Sequence, residues 1–416
     1  RVVTDGERSL GLGHQGAGGM WIPVGKISLY VAGAGFHPTQ CLPVCLDVGT
    51  DNSELLDDEL YMGWRRPRLR GPEYDALVEE FVAAVRQRFP RAVLQWEDFK
   101  KANAFALLDR FCDVVPSFND DIEGTAAVAV AGVMAATRVS GIPLEDQRIV
   151  LLGAGAAGVG IARLLRAALR NEGLADDRVR AAIALVDSRG LLAEGRPIDD
   201  AHKRDFVWSA ELVAAAGLAG EGPHDLGATV EALKPTVLIG TSGQPGTFDE
   251  STIRTMAARV ERPAIFPFSN PTSQSEATPA ELIEWTEGRA LVATGSPFDP
   301  VRHGGREIRV GQGNNVYVFP GVGLGLAVSG ARRATQEMFL AAASTLAGMV
   351  SESDLADGSL YPSLTHLRAI SREIARAVGA VAVERRLAEP VDDETLRSRI
   401  DEFVWTPRYP RIKSPG

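Results

Sequence analysis

The stretch that decides the fold of this 416-residue chain is Ile149-Val150-Leu151-Leu152-Gly153-Ala154-Gly155-Ala156-Ala157-Gly158. Four apolar residues of strand type lead into the spacing G-x-G-x-x-G, and the pattern of Val159–Leu169 then predicts a helix. In this arrangement Gly153 permits a tight turn, Gly155 lets the backbone approach a pyrophosphate, and Gly158 lets the helix pack on the strand. The helix N-terminus would face the anion. The stretch predicts a dinucleotide-binding loop; a glycine turn that serves packing alone is the alternative.

Apolar segments of strand length recur after this loop and alternate with helical patterns. They are Ile149–Leu152, Ala182–Val186, Thr236–Ile239, Ala264–Phe268 and Leu291–Ala293. Short, fully apolar strands separated by helices are typical of a parallel sheet that is covered on both faces. The predicted fold class is therefore α/β, with a Rossmann-type doubly wound parallel sheet at its centre.

The end of the second strand carries the residue that is expected to contact the adenosine ribose. Asp187 lies 29 residues beyond Gly158, further than the usual ≈ 20, because a polar insert occupies Asn171–Arg180. An acid at this position favours NAD. Ser188 and Arg189 follow directly, however, and Lys203-Arg204 are near in sequence, so a 2′-phosphate could also find partners. NAD is the predicted cofactor and NADP stays open; a solvated acidic strand end is the alternative.

The rest of the chain predicts a further α/β unit and a helical C-terminal part. Apolar spacing predicts a helix at Tyr74–Phe89, a strand at Ala92–Glu97 and a buried helix at Ala126–Val139, and then helices across Gly321–Val350 and Thr365–Leu387. We predict four parts: an α/β domain at 1–119, the dinucleotide-binding domain at 120–315, helices that pack back on the first domain at 316–388, and a charged surface tail at 389–416.

Charge and cysteine content limit the partners and the compartment. There are 44 Lys and Arg against 54 Asp and Glu, a formal net charge of −10, so neither nucleic acid nor an anionic membrane is an expected partner. No apolar run approaches the roughly 20 residues that cross a bilayer. Cys41, Cys45 and Cys112, odd in number, predict reduced thiols in a cytoplasmic setting. The chain opens on Arg1 within a strand-like segment, and we therefore expect a fragment.

Two pairs of acids and one lysine are the candidate chemical groups outside the loop. Glu97-Asp98 and Asp120-Asp121 both stand at the ends of apolar segments. Converging carboxylates are what Mg²⁺ or Mn²⁺ requires, although surface acid pairs are also common. Lys26 follows Gly25 where the apolar helix Ile27–Ala34 is predicted to begin. Such a lysine can have a lowered pKa and act as a base; a lysine that extends to solvent from a helix end is the alternative.

These segments together resemble malic enzymes of the large bacterial type, along almost the whole chain. The residues that carry the resemblance are Val3-Thr4-Asp5-Gly6-Glu7-Arg8, Gly25-Lys26, Leu46-Asp47-Val48-Gly49-Thr50-Asp51-Asn52, Tyr61-Met62-Gly63-Trp64-Arg65, Glu97-Asp98-Phe99, Phe118-Asn119-Asp120-Asp121-Ile122-Glu123-Gly124-Thr125, Ser269-Asn270-Pro271-Thr272, Thr294-Gly295-Ser296-Pro297-Phe298 and Gly313-Asn314-Asn315-Val316-Tyr317.

The resemblance implies oxidative decarboxylation of L-malate to pyruvate and CO₂ by a homodimer or homotetramer. It implies that the divalent metal is held by Glu97, Asp98 and Asp121. It assigns malate binding to Arg8, Asn270 and Asn315, with Asn270 also at the cofactor. Lys26 would be the general base and Asp120 would support it.

The chain departs from the family pattern at several positions. The resemblance implies a general-acid tyrosine in a motif upstream of residue 1, and no tyrosine of this chain matches it. His14, in Gly11-Leu12-Gly13-His14, replaces the usual Asp; Trp21 stands where Gly is usual, and Glu123 where Gln is usual. The base is therefore less firmly implied than the metal site.

Two other functions stay open at this point. A malolactic enzyme has the same architecture and carboxylates but releases lactate without net reduction of NAD. A catalytically impaired dinucleotide-binding module would bind cofactor without regard to Mn²⁺ or malate.

Overall fold

The computed structural model describes residues 1–8, 13–218 and 223–408. The first part of the chain forms a four-stranded, fully parallel sheet in the order β2-β1-β3-β4. Its elements are β1 (Val2–Thr4), α1 (Trp21–Leu29), β2 (Pro43–Cys45), α2 (Ser53–Asp57), α3 (Pro72–Arg88), β3 (Leu94–Trp96), α4 (Lys101–Phe111) and β4 (Ser117–Asn119). The predicted helix at 74–89 and the predicted strand at 92–97 are confirmed as α3 and β3.

The dinucleotide part forms a seven-stranded sheet in the order β13-β10-β9-β8-β5-β6-β7, parallel except where β6 meets β7. Its elements are α5 (Thr125–Ser140), β5 (Ile149–Leu152), α6 (Ala156–Asn171), α7 (Asp176–Ala182), β6 (Ile183–Asp187), β7 (Gly190–Leu191), α8 (Ala201–Arg204), α9 (Ala210–Ala215), α10 (Leu226–Leu233), β8 (Val237–Gly240), α11 (Glu250–Ala257), β9 (Ala264–Pro267), α12 (Pro279–Trp285), β10 (Leu291–Thr294), β11 (Val301–His303), β12 (Arg306–Ile308) and β13 (Gly311–Gln312). All five predicted strands are confirmed, and the doubly wound α/β fold is the observed one. The strand order reverses between β5 and β8, where open sheets of this kind bind ligands.

The C-terminal part is helical, as predicted, and contacts the first sheet. It contains α13 (Phe319–Ser329), α14 (Gln336–Gly348), α15 (Glu352–Ala356), α16 (Leu367–Glu384) and α17 (Asp393–Phe403). Helices α13 and α16 pack on each other and on the π-helical turn Tyr30–Ala34 that continues α1. The predicted surface tail is wrong in one respect, because α17 buries Leu396 and Ile400 against α13 and α16. Residues 409–416 of that tail lie outside the described residues.

Single-turn segments complete the described elements. The 3₁₀ turns are Gly16–Met20, Pro38–Gln40, Leu144–Asp146, Thr272–Gln274, Asn315–Tyr317 and Leu364–His366, and a second π-helical turn covers Asp120–Gly124.

The helix after β4 is longer than the sequence pattern indicates. With its π-helical first turn it runs from Asp120 to Ser140, which is 21 residues and long and apolar enough to cross a membrane by length and composition. The prediction that no apolar run approaches that length therefore needs correction. The helix packs between α6 and α14, and thirteen of its 21 residues are buried. Its apolar character is thus accounted for by packing inside the protein.

Candidate active site

Three carboxylates converge where two neighbouring strands end. Glu97 and Asp98 follow β3, and Asp121 lies in the π-helical turn after β4, the parallel neighbour of β3. Their ligand oxygens all lie within 4.8 Å of one another. The backbone N–H of Asp98 donates to Asp121 Oδ2 at 2.8 Å, with Asp98 in the left-handed region at φ 56°. Carboxylate oxygens are the hard donors that Mg²⁺ and Mn²⁺ prefer, so the chemistry of this set suits such an ion.

Lys26 is the cation that faces these carboxylates. Its Nζ donates to Asp120 Oδ2 at 2.6 Å, lies 3.0 Å from Glu97 Oε1, and donates to Asn315 Oδ1 at 3.3 Å. The ring of Phe319 in α13 lies under the ammonium, with 4.6 Å from Nζ to the ring centroid. Lys26 therefore joins residues from α1, β3, β4 and the C-terminal part at one point.

The predicted start of the helix that carries Lys26 is wrong. Helix α1 begins at Trp21, six residues before the predicted start at Ile27, with Pro23 in its first turn. A proline there sacrifices no hydrogen bond, because the first N–H groups of a helix have no partner within it. Lys26 is consequently held on a formed turn of helix rather than at its free end.

The electrostatics of Lys26 also differ from the sequence expectation. Burial acts to lower the pKa of Lys26, but the charges of Asp120 and Glu97 outweigh it and hold the pKa well above its usual value. Burial in turn raises the pKa of both Glu97 and Asp120, against the opposing effect of Lys26. Without a further positive charge in the site, Lys26 is thus an ammonium. Asp120 Oδ1 is buried and has no hydrogen-bond partner among the described residues.

A chain of two hydrogen bonds orients the Glu97 carboxylate through Oε2, whereas Lys26 contacts Oε1. Gln95 Nε2 donates to Glu97 Oε2 at 2.7 Å, and Tyr30 Oη donates to Gln95 Oε1 at 2.6 Å. Such outer partners fix the direction of a metal-ligating carboxylate. Sequence reasoning missed both residues. Tyr30 lies four residues after Lys26, on the same helical face, and this spacing was the signal that could have found it.

Of the three residues assigned to malate, Arg8 and Asn315 lie beside this cluster. Arg8 Nη1 lies 3.8 Å from Asp121 Oδ1 and is half exposed, so its guanidinium is free to turn toward a ligand. Asn315 contacts Lys26 directly. Asn270 follows β9 and accepts a hydrogen bond from Ser296 Oγ at 2.5 Å. It lies at the carboxyl edge of the dinucleotide sheet, which suits its predicted place near the cofactor.

The three residues that depart from the family pattern, His14, Trp21 and Glu123, have different surroundings. His14 contributes its carbonyl, which accepts from Asn52 Nδ2 at 3.1 Å, whereas Gly11 and Leu12 lie outside the described residues. Trp21 begins α1 and is 78% exposed. Glu123 accepts from the N–H of Asn119 at 2.9 Å, and burial raises its pKa to about 8. A protonated Glu123 resembles glutamine in its hydrogen bonding.

The dinucleotide loop has the predicted conformation. Gly153 turns at φ 105°, and a Cβ on Gly158 would stand 1.8 Å from the Gly153 carbonyl oxygen. A Cβ on Gly155 would meet none of the described atoms within 4 Å, so the backbone there is open to a ligand. Ala154 ends the turn, and Ala156 and Ala157 open α6, whose N-terminal N–H groups face this space.

The buried carboxylate of Glu276 connects the segments that follow β8 and β9. Glu276 Oε1 accepts from the N–H of Ser242 at 2.7 Å and from Ser269 Oγ at 2.5 Å. It therefore ties the loop after β8 to the segment that leads to Asn270. Sequence reasoning missed Glu276, because nothing in its local sequence distinguishes it from a surface acid.

Asp187 lies at the end of β6, as predicted, but its carboxylate is already engaged. Arg196 Nη2 lies 2.7 Å from both oxygens, Lys203 Nζ donates at 2.8 Å, and the N–H of Arg189 donates at 2.9 Å. Burial acts to raise the pKa of Asp187, but the hydrogen bonds from Arg196 and Lys203 lower it to about 2. A carboxylate offers about four acceptor positions, and the protein fills them all.

Of the basic residues predicted near Asp187, only some turn toward it. Lys203 does, whereas Arg204 donates its Nε to the carbonyl of Ile198 at 3.0 Å. Ser188 and Arg189 form the exposed turn between β6 and β7, with the Arg189 guanidinium on the carbonyl of Pro197. Arg196 was not predicted.

Comparison with known proteins finds malic enzyme domains in both parts of the chain. Residues 1–112 match the sequence model described as the malic enzyme N-terminal domain, and residues 122–383 match that of the malic enzyme NAD-binding domain. An NAD-dependent malic enzyme of Vibrio campbellii is 48% identical over 412 residues, which are 99% of this chain and 73% of that protein. One from Acinetobacter baylyi is 46% identical over 98% of this chain and 72% of its own length.

Solved structures show the same fold. The malic enzyme of Entamoeba histolytica superposes with a TM-score of 0.74 at 24% identity, covering 97% of this chain and 73% of the other. At that identity the likeness bears on the fold alone. Together, the two domain matches and the 48% identity over nearly the whole chain show that the chain belongs to the malic enzyme family of oxidoreductases.

Proposed function

We propose that this protein oxidises and decarboxylates L-malate to pyruvate and CO₂, reduces NAD, and depends on Mg²⁺ or Mn²⁺. The observation that carries the proposal is the contact of Lys26 Nζ with Asp120 and Glu97, directly beside the cluster of Glu97, Asp98 and Asp121. A proton-accepting amine and a hard-oxygen site for a dication are the two groups that this reaction needs at the malate C2 hydroxyl.

Glu97, Asp98 and Asp121 would hold the cation, since their oxygens are hard donors spaced for one ion. When bound, it would supply Lewis acidity toward malate oxygens and a positive charge that opposes protonation of Lys26. Gln95 and Tyr30 keep the Glu97 carboxylate in place for that role.

The side chains around the cluster have distinct roles in the proposal. Lys26 Nζ receives the proton of the C2 hydroxyl, and Asp120 orients Nζ for that transfer. Arg8 pairs its guanidinium with a malate carboxylate, for which its planar fork is suited. Asn315 holds the other side of Nζ, and Asn270 lies toward the cofactor at the sheet edge. The dinucleotide loop at Gly153–Gly158 binds the pyrophosphate.

A steady-state assay of the complete protein tests the proposal. Malate and Mn²⁺ are supplied with NAD or NADP in turn, and NADH or NADPH, pyruvate and lactate are all measured. We expect pyruvate and reduced cofactor in equal amounts, and no turnover once a chelator removes Mn²⁺. Lactate without net reduction would show a malolactic enzyme instead. Cofactor binding with no turnover, at any metal concentration, would show a non-catalytic dinucleotide-binding protein.

We further propose that NADP is accepted beside NAD, because Arg196 and Lys203 neutralise the charge of Asp187 that would repel a 2′-phosphate. Lys203 makes its described contact with Asp187 alone, so its ammonium can turn to the phosphate. In Lys203→Met we expect NADP affinity to fall about tenfold, the size of one charge-assisted hydrogen bond, with NAD affinity maintained. Equilibrium titration with each cofactor measures this.

Arg204→Met is the matched control for that titration. Arg204 is the next residue of α8 and bonds to backbone carbonyls rather than to Asp187. Equal losses of NADP affinity in Lys203→Met and Arg204→Met would attribute the effect to overall charge, and no loss in either would exclude Lys203 from 2′-phosphate binding.

A further inference from the structure

Lys101 connects the metal side of the protein to the dinucleotide loop. It is the first residue of α4 and stands three positions after Asp98, yet its Nζ donates to the carbonyl of Ala154 at 2.8 Å. The same Nζ donates to Asp200 Oδ2 at 2.5 Å. Lys101 belongs to the first α/β domain, and its ammonium therefore contacts the glycine-rich loop of the dinucleotide-binding domain.

The ammonium of Lys101 lies beside the place where the pyrophosphate of the cofactor is expected. Ala154 is the residue between the first two glycines of the loop, and the adjoining Gly155 has open space where a Cβ would be. The N-terminus of the 16-residue helix α6 begins at the next residue and adds a positive partial charge. Lys101 is thus a full positive charge beside the predicted pyrophosphate position.

The ion pair with Asp200 leaves Lys101 able to move. Both side chains are 28% exposed, so solvent screens their attraction. Asp200 has a second role that does not need Lys101, since its Oδ1 accepts from the N–H of His202 and caps α8. The pair can therefore open without loss of the helix cap.

We propose that Lys101 is a further cofactor-binding residue, whose ammonium leaves Asp200 to bind an oxygen of the cofactor diphosphate. The proposal rests on the proposed dinucleotide site, but it needs neither the metal nor turnover. A diphosphate carries a negative charge on each phosphate, and an ammonium beside it forms charge-assisted hydrogen bonds. The carbonyl of Ala154 keeps Nζ at the loop while Asp200 serves as its partner in the cofactor-free protein.

Binding of NAD and of ADP-ribose to the complete protein, without malate or metal, tests the proposal. Four variants are compared with the unsubstituted protein at low and high salt: Lys101→Met, Lys101→Arg, Asp200→Asn and Lys100→Met. Asparagine caps helices as well as aspartate does, so Asp200→Asn removes the charge but keeps the cap. Lys100 is an exposed neighbour that makes a distant 3.9 Å ion pair with Glu7, and Lys100→Met is the matched control.

We expect Lys101→Met to weaken both ligands about tenfold at low salt and to reduce the dependence of affinity on salt. Lys101→Arg should recover most of the loss, and Lys100→Met should bind like the unsubstituted protein. Asp200→Asn should bind as tightly or a few-fold more tightly, because it frees the ammonium.

Two results would overturn the proposal. If Asp200→Asn weakens binding as much as Lys101→Met, the ion pair itself is what matters and Lys101 is only a tether. If Lys101→Met binds NAD and ADP-ribose normally, Lys101 is not at the diphosphate. Neither result touches malate oxidation, whereas a failure of the unsubstituted protein to bind either ligand would overturn the dinucleotide site as well.

Discussion

Asp121→Asn is expected to reduce metal-dependent turnover strongly while the protein stays folded and binds NAD. The amide keeps an oxygen that can accept from the N–H of Asp98, the hydrogen bond seen at 2.8 Å, so the turn after β4 should persist. The substitution removes one of the three negative charges of the cluster formed by Glu97, Asp98 and Asp121. Since the cation would contribute several kcal/mol of charge stabilisation, we expect kcat/KM to fall about 10³-fold. Mn²⁺ titration by calorimetry should show the matching loss of affinity.

Asp109→Asn is the control for this change. Asp109 is an exposed acid of α4 in the same domain, and its loss alters net charge equally without touching the cluster. Unchanged Mn²⁺ affinity and turnover in Asp121→Asn would rule out the assigned ligand set. A similar loss in Asp109→Asn would instead point to a nonspecific effect of charge.

Substitution of Lys26 is expected to produce the other large effect. We predict that kcat falls about 10³-fold in Lys26→Met, within the usual contribution of a positioned general base. The ammonium also neutralises Asp120 and Glu97, whose carboxylates are fully buried, so part of the loss could be electrostatic. Lys26→Arg separates the two roles, because guanidinium stays charged and cannot accept a proton at working pH.

The measurement is kcat together with the affinities for NAD and Mn²⁺ in each variant. If Lys26 is the base, Lys26→Arg should be as slow as Lys26→Met while both affinities are maintained. Recovery of turnover in Lys26→Arg would show that Lys26 acts through its charge alone. Lys100→Met controls for the loss of a lysine, since that side chain is exposed and outside the cluster.

The parts of the fold that the sequence predicts correctly are those that depend on a short, continuous segment of residues. The apolar strand before Gly153, the glycine spacing and the following helix each follow from residues within one short segment, and the structure reproduces them. The same holds for α3, whose apolar residues recur at helical spacing. The sequence pattern did not predict helix α17, because most of its residues are charged and only Leu396 and Ile400 are buried in it. These two side chains pack against the other C-terminal helices.

The carboxylate cluster was predictable only in part. That Glu97-Asp98 and Asp120-Asp121 end apolar segments was visible, but that β3 and β4 are parallel neighbours was not. Adjacent parallel strands bring their carboxyl ends to one edge, and this pairing alone makes three of the four acids converge. The fourth, Asp120, turns instead to Lys26.

The dinucleotide loop of Gly153–Gly158 was determined by the sequence itself, because a strand, a glycine turn and a helix N-terminus are local features. What that loop contacts was decided by the tertiary structure. Lys101 reaches Ala154 across 53 positions of the chain, and Lys203 and Arg196 close on Asp187 from a later segment. Charge interactions depend on distance in space and on burial, neither of which is written in a residue's neighbours. The raised pKa of Lys26 has the same origin, since Asp120 and Glu97 come to it only when α1 packs on the first sheet.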